Sequence, residues 1–143
     1  MNTNSEERIK NIILFDMDGT LTPPRKKIDR KVITSLRDLS MHAEIGIVTG
    51  SDFDYLMQQC EPMFGIGGVP CDKIHLLPCN GTKYYKWGNG RRFHLTSNSD
   101  MIEKIKRESY NSLLSKLFSY QLKISSEHNL PYTGTFFHYR GSM

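Results

Sequence analysis

Ile12-Ile13-Leu14-Phe15-Asp16-Met17-Asp18-Gly19-Thr20-Leu21 is the stretch that decides the fold. Four apolar residues run without interruption into an acid, and a glycine follows three positions later. A short apolar run closed by a turn reads as a strand buried on both faces of a sheet. In an open α/β sheet, ligands bind in the crevice outside the carboxyl ends of the strands. Asp16 and Asp18 therefore fall where a ligand would lie. Two acids separated by one residue can divide labour: one carboxylate attacks phosphorus and binds Mg²⁺, while the other holds or gives a proton at the leaving oxygen. Mg²⁺ suits such a site because it takes carboxylate and phosphate oxygens and offsets repulsion between an anionic nucleophile and an anionic substrate. The plainer alternative is two acids that cap a turn.

The pattern repeats downstream. Asp29 can cap a helix whose apolar positions are Val32, Leu36 and Leu39, with Ile28 just before it. Ile45 to Val48 reads as a second buried strand, ending in Thr49-Gly50-Ser51-Asp52. Ser51 suits the N-cap of a helix whose Phe53, Leu56, Met57 and Cys60 recur at helical spacing. Lys73 to Leu77 is a weaker third strand. This β-α-β-α-β order predicts a parallel sheet of the α/β class. Beyond Asn80 the pattern changes. Thr82 to Lys86 and Arg91 to Leu95 flank Trp87-Gly88-Asn89-Gly90, a β-hairpin signal. One long helix is expected over roughly Asp100 to Lys123, and a strand over Thr133 to Arg140. The reading gives a core over residues 1–82 and the start of a smaller α+β unit over 83–143.

Composition narrows the function classes. The 143 residues suffice for one ordinary domain with its own core. A net charge of +4, scattered along the chain, suits an anionic small molecule and offers no basic stripe for nucleic acid. Cys60, Cys71 and Cys79 form no C-x-x-C pair and read as reduced thiols. No apolar stretch is long enough to span a bilayer, and the first residues show no signal-peptide core, so the cytoplasm is the expected location. His42, His75, His94 and His128 show no ligand spacing and receive no role.

Asp16-x-Asp18-Gly19-Thr20-Leu21 resembles the first motif of the haloacid dehalogenase superfamily. That resemblance implies a Rossmann-like core, with Asp16 the phosphate-accepting nucleophile, Asp18 the general acid–base and Mg²⁺ held at Asp16 and Asp18. Thr49 sits where the second motif places a Ser or Thr that bonds the transferring phosphoryl group; otherwise it is an ordinary strand-end threonine. Ser51 either shares that role or caps its helix. Thr22-Pro23-Pro24-Arg25, Gly50-Ser51-Asp52-Phe53, Asn80-Gly81 and Gly134-Thr135-Phe136 with Tyr139-Arg140-Gly141 resemble, in order, segments of the eukaryotic-type phosphomannomutases. Departures are Cys79 and His138, where glutamate is usual, and Ser142 opposite a glycine.

This resemblance implies an α+β cap after the core, and sugar-phosphate binding by Arg25 and Arg140. Arginine fits that task because its planar fork binds phosphate bidentately. The alternative for both is a surface charge. The implied activity interconverts mannose 6-phosphate and mannose 1-phosphate through an aspartyl phosphate for GDP-mannose synthesis, glucose phosphate being the other hexose left open. Two chains would pair through a complete cap. The resemblance covers roughly the first half of a family member, so the chain is expected to lack the later cap arginines, the third-motif lysine and the fourth-motif acid. By itself it is expected to fall short of mutase turnover. The competing readings are a sugar-phosphate phosphatase and a non-catalytic remnant acting through protein contacts.

Overall fold

The computed structural model describes residues 11–129. Five strands form one sheet in sequence order: β1 (Ile12–Asp16), β2 (Glu44–Val48), β3 (Ile74–Leu77), β4 (Lys83–Gly88) and β5 (Arg92–Asn98). The first three are parallel, joined by α1 (Arg30–Leu39) and α2 (Phe53–Cys60), and β4 and β5 return antiparallel as a hairpin. Asp29 caps α1 through a 2.7 Å bond from the Lys31 amide to its carboxylate. The expected α/β class, strand order and hairpin are all present.

One sheet face carries the core. Ile45 and Ile47 on β2 and Ile74 and Leu76 on β3 are fully buried and cluster with Ile33 and Leu36 of α1 and Leu56 and Cys60 of α2. Each such aliphatic side chain contributes about 1.5–3 kcal/mol on burial. The hairpin joins this face through aromatic contacts. Phe53 of α2 stacks on Tyr85 with centroids 4.0 Å apart, and Phe93 meets both Trp87 and Phe64 edge-on at 5.1 Å. Hence β4 and β5 continue the core sheet, and the first compact unit runs through Asn98. The sequence reading begins its α+β unit at residue 83, inside that sheet.

β1 departs from expectation. It reads as a strand buried on both faces, yet Ile12, Ile13 and Leu14 are 48%, 38% and 60% exposed. β1 is the outermost strand, with β2 its only partner among the described residues, so its side chains lack the neighbours an inner strand has. The side chain of Leu14 lies over Gly46, where a Cβ would meet its Cδ2.

The second unit begins at Ser99. Asp100 caps α3 (Met101–Ile105), accepting from the Ile102 amide at 2.8 Å. The single long helix expected there is broken. Lys106 adopts φ +66° and ψ 144°, which interrupts the helical ladder, and α4 (Arg107–Glu127) starts anew after it. Leu113, Leu117 and Leu122 on α4 are all at least partly exposed. The strand expected over Thr133 to Arg140 lies outside the described residues.

His75, which received no role, sits in the apolar run Ile74-His75-Leu76-Leu77 and is 95% buried with partners on both ring nitrogens. Its Nε2 lies 2.6 Å from the buried Glu44 carboxylate, and its Nδ1 lies 2.7 Å from the Tyr84 hydroxyl. A carboxylate oxygen only accepts, so the ring donates through Nε2, and Nδ1 is left to accept from Tyr84. Burial, then the Glu44 charge, raises the Tyr84 pKa, which keeps that hydroxyl protonated and able to donate. The relay ties β2, β3 and β4 together across the sheet. Removing one partner of a buried, hydrogen-bonded carboxylate leaves a charge without its donor and costs more than removing both. His75→Leu is therefore expected to destabilise the chain by about 3–5 kcal/mol in urea unfolding, and Glu44→Leu with His75→Leu by clearly less. A single substitution as mild as the double one would show that the relay does not tie the strands.

Candidate active site

The site begins with a loop wrapped around one carbonyl. Met17 follows β1 with its side chain fully buried, and Asp16 and Asp18 on either side of it are exposed. The Met17 carbonyl accepts from the Thr20, Leu21 and Thr22 amides at 3.3, 3.0 and 2.9 Å, and from the Thr22 hydroxyl at 3.2 Å. The turn closes where the Gly19 amide donates to the Thr22 carbonyl at 2.7 Å, with Gly19 at φ +83°, a conformation glycine adopts without strain. Leu21 and Thr22 are buried and fasten the far end. The two carboxylates thus flank a fixed point. The Thr20 hydroxyl reaches Asp16 Oδ2 at only 3.5 Å, a long and weak bond.

Strand register brings the other candidates alongside. Asp16 pairs with Val48, and Val48 with Leu77, so three strands end at one level. Adjacent strands lie about 4.8 Å apart, which puts Thr49 on the strand next to Asp16. Thr49 is buried, its amide donates to the Leu77 carbonyl at 3.2 Å, and its Oγ1 accepts from the Ser51 amide at 3.1 Å. The cap of α2 is Asp52, whose carboxylate accepts from the Tyr55 amide at 2.8 Å. This corrects the expectation that Ser51 caps the helix: α2 starts at Phe53, one residue too late for Ser51 to reach its first free amides. The turn after β3, quoted above only for its resemblance at Asn80-Gly81, grips this loop: the Cys79 amide donates to the Ser51 carbonyl and the Asn80 amide to the Thr49 carbonyl, both at 2.8 Å. The signal available for it was the Asn-Gly dipeptide directly after a strand.

Arg25 stands exposed at φ +59° in the turn where the Lys26 amide donates to the Pro23 carbonyl at 3.0 Å. Lys27, two residues on, makes a 2.6 Å ion pair with Glu61, although both remain more than half exposed. The lysine's hydrogen bond and charge hold the Glu61 carboxyl below its usual value. Arg140 lies outside the described residues. Among the described residues no three His, Cys, Asp or Glu side chains converge to hold a metal. The exposed pair Asp16 and Asp18 fits an ion that takes one or two carboxylates and completes its shell with water and phosphate, as Mg²⁺ does. Cys60, fully buried at the end of α2, has its thiol pushed up to about 12 by burial first and by the Asp18 charge second. A thiol held neutral in this way is no nucleophile.

The fold is that of haloacid-dehalogenase-like α/β proteins. An IMP-nucleotidase from Plasmodium falciparum, solved with IMP bound, superposes with a TM-score of 0.59 at 12% identity, over 82% of this chain and 35% of that one. A haloacid dehalogenase-like hydrolase from B. subtilis superposes with a TM-score of 0.58 at 20% identity, over 77% and 34%. At such identities the likeness is one of fold. By sequence the chain is similar to the phosphomannomutases. Phosphomannomutase 1 of Mus musculus is 34% identical over 140 residues, 96% of this chain and 48% of that protein. The phosphomannomutase of Saccharomyces cerevisiae is 33% identical over 139 residues, 96% and 49% respectively. The chain spans about half the length of the curated relatives it matches. No family model matches it.

The state of Cys60 makes stability depend on alkaline pH. The folded chain keeps the thiol protonated to about 12, whereas an unfolded chain releases that proton from about 9 upward. Between these values the unfolded state binds fewer protons, so stability contributed below pH 9 is lost as pH rises. The loss approaches about 1.4 kcal/mol per pH unit. Urea unfolding above pH 9 should show a shallower fall for Cys60→Ala than for wild type, and equal slopes would contradict the assignment.

Proposed function

We propose that the chain carries the phosphoryl-transfer centre of a phosphomannomutase-type enzyme, with Asp16 as nucleophile and Asp18 as general acid–base. The observation that carries this reading is the pair of exposed carboxylates held on either side of buried Met17, at the sheet end where Thr49 also emerges. The name of the relatives supports a mannose phosphate as substrate, and the same proposal leaves glucose phosphate as the other hexose and takes the product toward GDP-mannose in the cytoplasm.

In this reading an Asp16 oxygen attacks phosphorus in line, the bond from phosphorus to the sugar oxygen breaks, and that oxygen takes a proton from Asp18. In the half-reaction before it, phospho-Asp16 gives its phosphoryl group to the free hydroxyl of a hexose monophosphate, Asp18 takes that hydroxyl's proton as the bond from Asp16 to phosphorus breaks, and the bisphosphorylated sugar turns around to present its other phosphate. The Thr49 Oγ1 already accepts from the Ser51 amide, so its hydrogen is left to donate to a phosphoryl oxygen. Ser51, which does not cap α2, is assigned the same task. Arg25 and Arg140 are assigned to the sugar phosphate. Mg²⁺ at Asp16 and Asp18 would neutralise charge between these carboxylates and the incoming phosphate. Residues 99–143 are assigned to the start of a cap that, when complete, pairs two chains.

The test is transfer of labelled phosphate from a hexose bisphosphate to the protein in the presence of Mg²⁺. Asp16→Asn should abolish labelling, because an amide forms no acyl phosphate. Asp18→Asn should still be labelled, with discharge to hexose monophosphate slowed by about 10²–10⁴-fold, the usual size of an acid–base contribution. Undiminished labelling of Asp16→Asn would remove Asp16 from the nucleophile's role.

A further inference from the structure

Three consecutive residues after β3 adopt left-handed backbone conformations: Cys79 at φ +52°, Asn80 at φ +56° and Gly81 at φ +79°. Glycine does so freely and asparagine at modest cost, but cysteine is rarely found there. Such strain persists only where surrounding structure holds it in place. Here the holding contacts can be named. Regular pairing of β2 with β3 ends at Val48 and Leu77. Past that point the Asn80 amide still donates to the Thr49 carbonyl, and the Cys79 amide to the Ser51 carbonyl, each at 2.8 Å. The turn itself closes through the Gly81 amide on the Pro78 carbonyl at 3.1 Å and the Thr82 hydroxyl on the Cys79 carbonyl at 2.8 Å. Cys79 is fully buried, and Asn80 Oδ1 lies 3.1 Å from where a Cβ on Gly50 would stand.

We propose that the Cys79–Gly81 turn is a positioning element, whose left-handed backbone aims two amides at the 49–51 loop and sets where the Thr49 and Ser51 hydroxyls stand. The loop is held at every backbone group named so far. The Thr49 amide goes to Leu77, the Thr49 carbonyl receives Asn80, the Ser51 amide goes to Thr49 Oγ1, and the Ser51 carbonyl receives Cys79. Relaxing Asn80 into an ordinary conformation turns its amide away and releases the first two residues of the loop together. Asn80 acts through the loop and needs no contact with substrate. The inference rests on the assignment of that loop to phosphate binding.

The test uses the full 143-residue chain and two readouts by amide NMR, hydrogen exchange in the free protein and titration with inorganic phosphate. Asn80→Val places a β-branched residue where φ is positive and should speed exchange at Asn80 and Ser51 by about 10-fold or more. It should also weaken the phosphate response of the Gly50 and Ser51 amides by about 10-fold or more. Asn80→Gly, which adopts the same backbone freely, should keep exchange close to wild type. Asn80→Ala should fall between the two, and it keeps the test open should the valine variant not fold. Wild-type exchange at residues 49–51 in both Asn80→Val and Asn80→Ala would overturn the proposal. A wild-type chain with the expected exchange order but no phosphate response would refute the phosphate assignment and leave the turn's hold on the loop supported.

Discussion

The burial of Met17 is the constraint on which the rest of the site depends. A chain leaving a strand with two acids in three residues would ordinarily wander in solvent, because each carboxylate prefers water and they repel one another. Here the residue between them is fully buried, and its carbonyl gathers three amides and a hydroxyl. Each of those bonds contributes only about 0.5–1.5 kcal/mol. Together with the buried side chain they fix the backbone on both sides of Met17, so the acids keep their separation without a bond between them. A reaction that needs one acid at phosphorus and the other at a sugar oxygen needs that fixed separation, since effective molarity is lost with small misplacement.

The sheet extends the same logic sideways. Because Asp16, Val48 and Leu77 are in register, each loop leaves its strand at the same height. The loop after β2 is then laced to the turn after β3, while the His75 relay locks the same strands nearer their starting ends. Core side chains on one face supply most of the stability, and polar bonds decide alignment. This division is common, since apolar burial is non-directional and hydrogen bonds are not.

Much of this was legible from the amino acids alone. Runs such as Ile45 to Val48 announce strands by composition, and Asp29 announces a cap, because local rules govern both. The break at Lys106 had no sequence signal, since a lysine favours helix and only its surroundings force a positive φ. Nor could the exposure of Ile12 to Leu14 be read, because burial of a strand depends on which strands flank it. The role of His75 has no signature in local spacing, because its partners Glu44 and Tyr84 come from strands on either side. The placement of Asp16, Asp18 and Thr49 at adjoining strand ends was legible from the strand pattern. The hold of the Cys79–Asn80 turn on the neighbouring loop was not, because it is made by backbone amides, which side-chain identity does not report.

The most direct measurement is a crystal structure of the chain grown with Mg²⁺ and beryllium trifluoride, a mimic of a phosphorylated aspartate. The account predicts the trifluoride on an Asp16 oxygen, with the Thr49 hydroxyl bonded to one fluorine and Met17 still buried beneath. A trifluoride group on Asp18 or Ser51, or a loop in which Met17 has left the core to let it bind, would contradict the account.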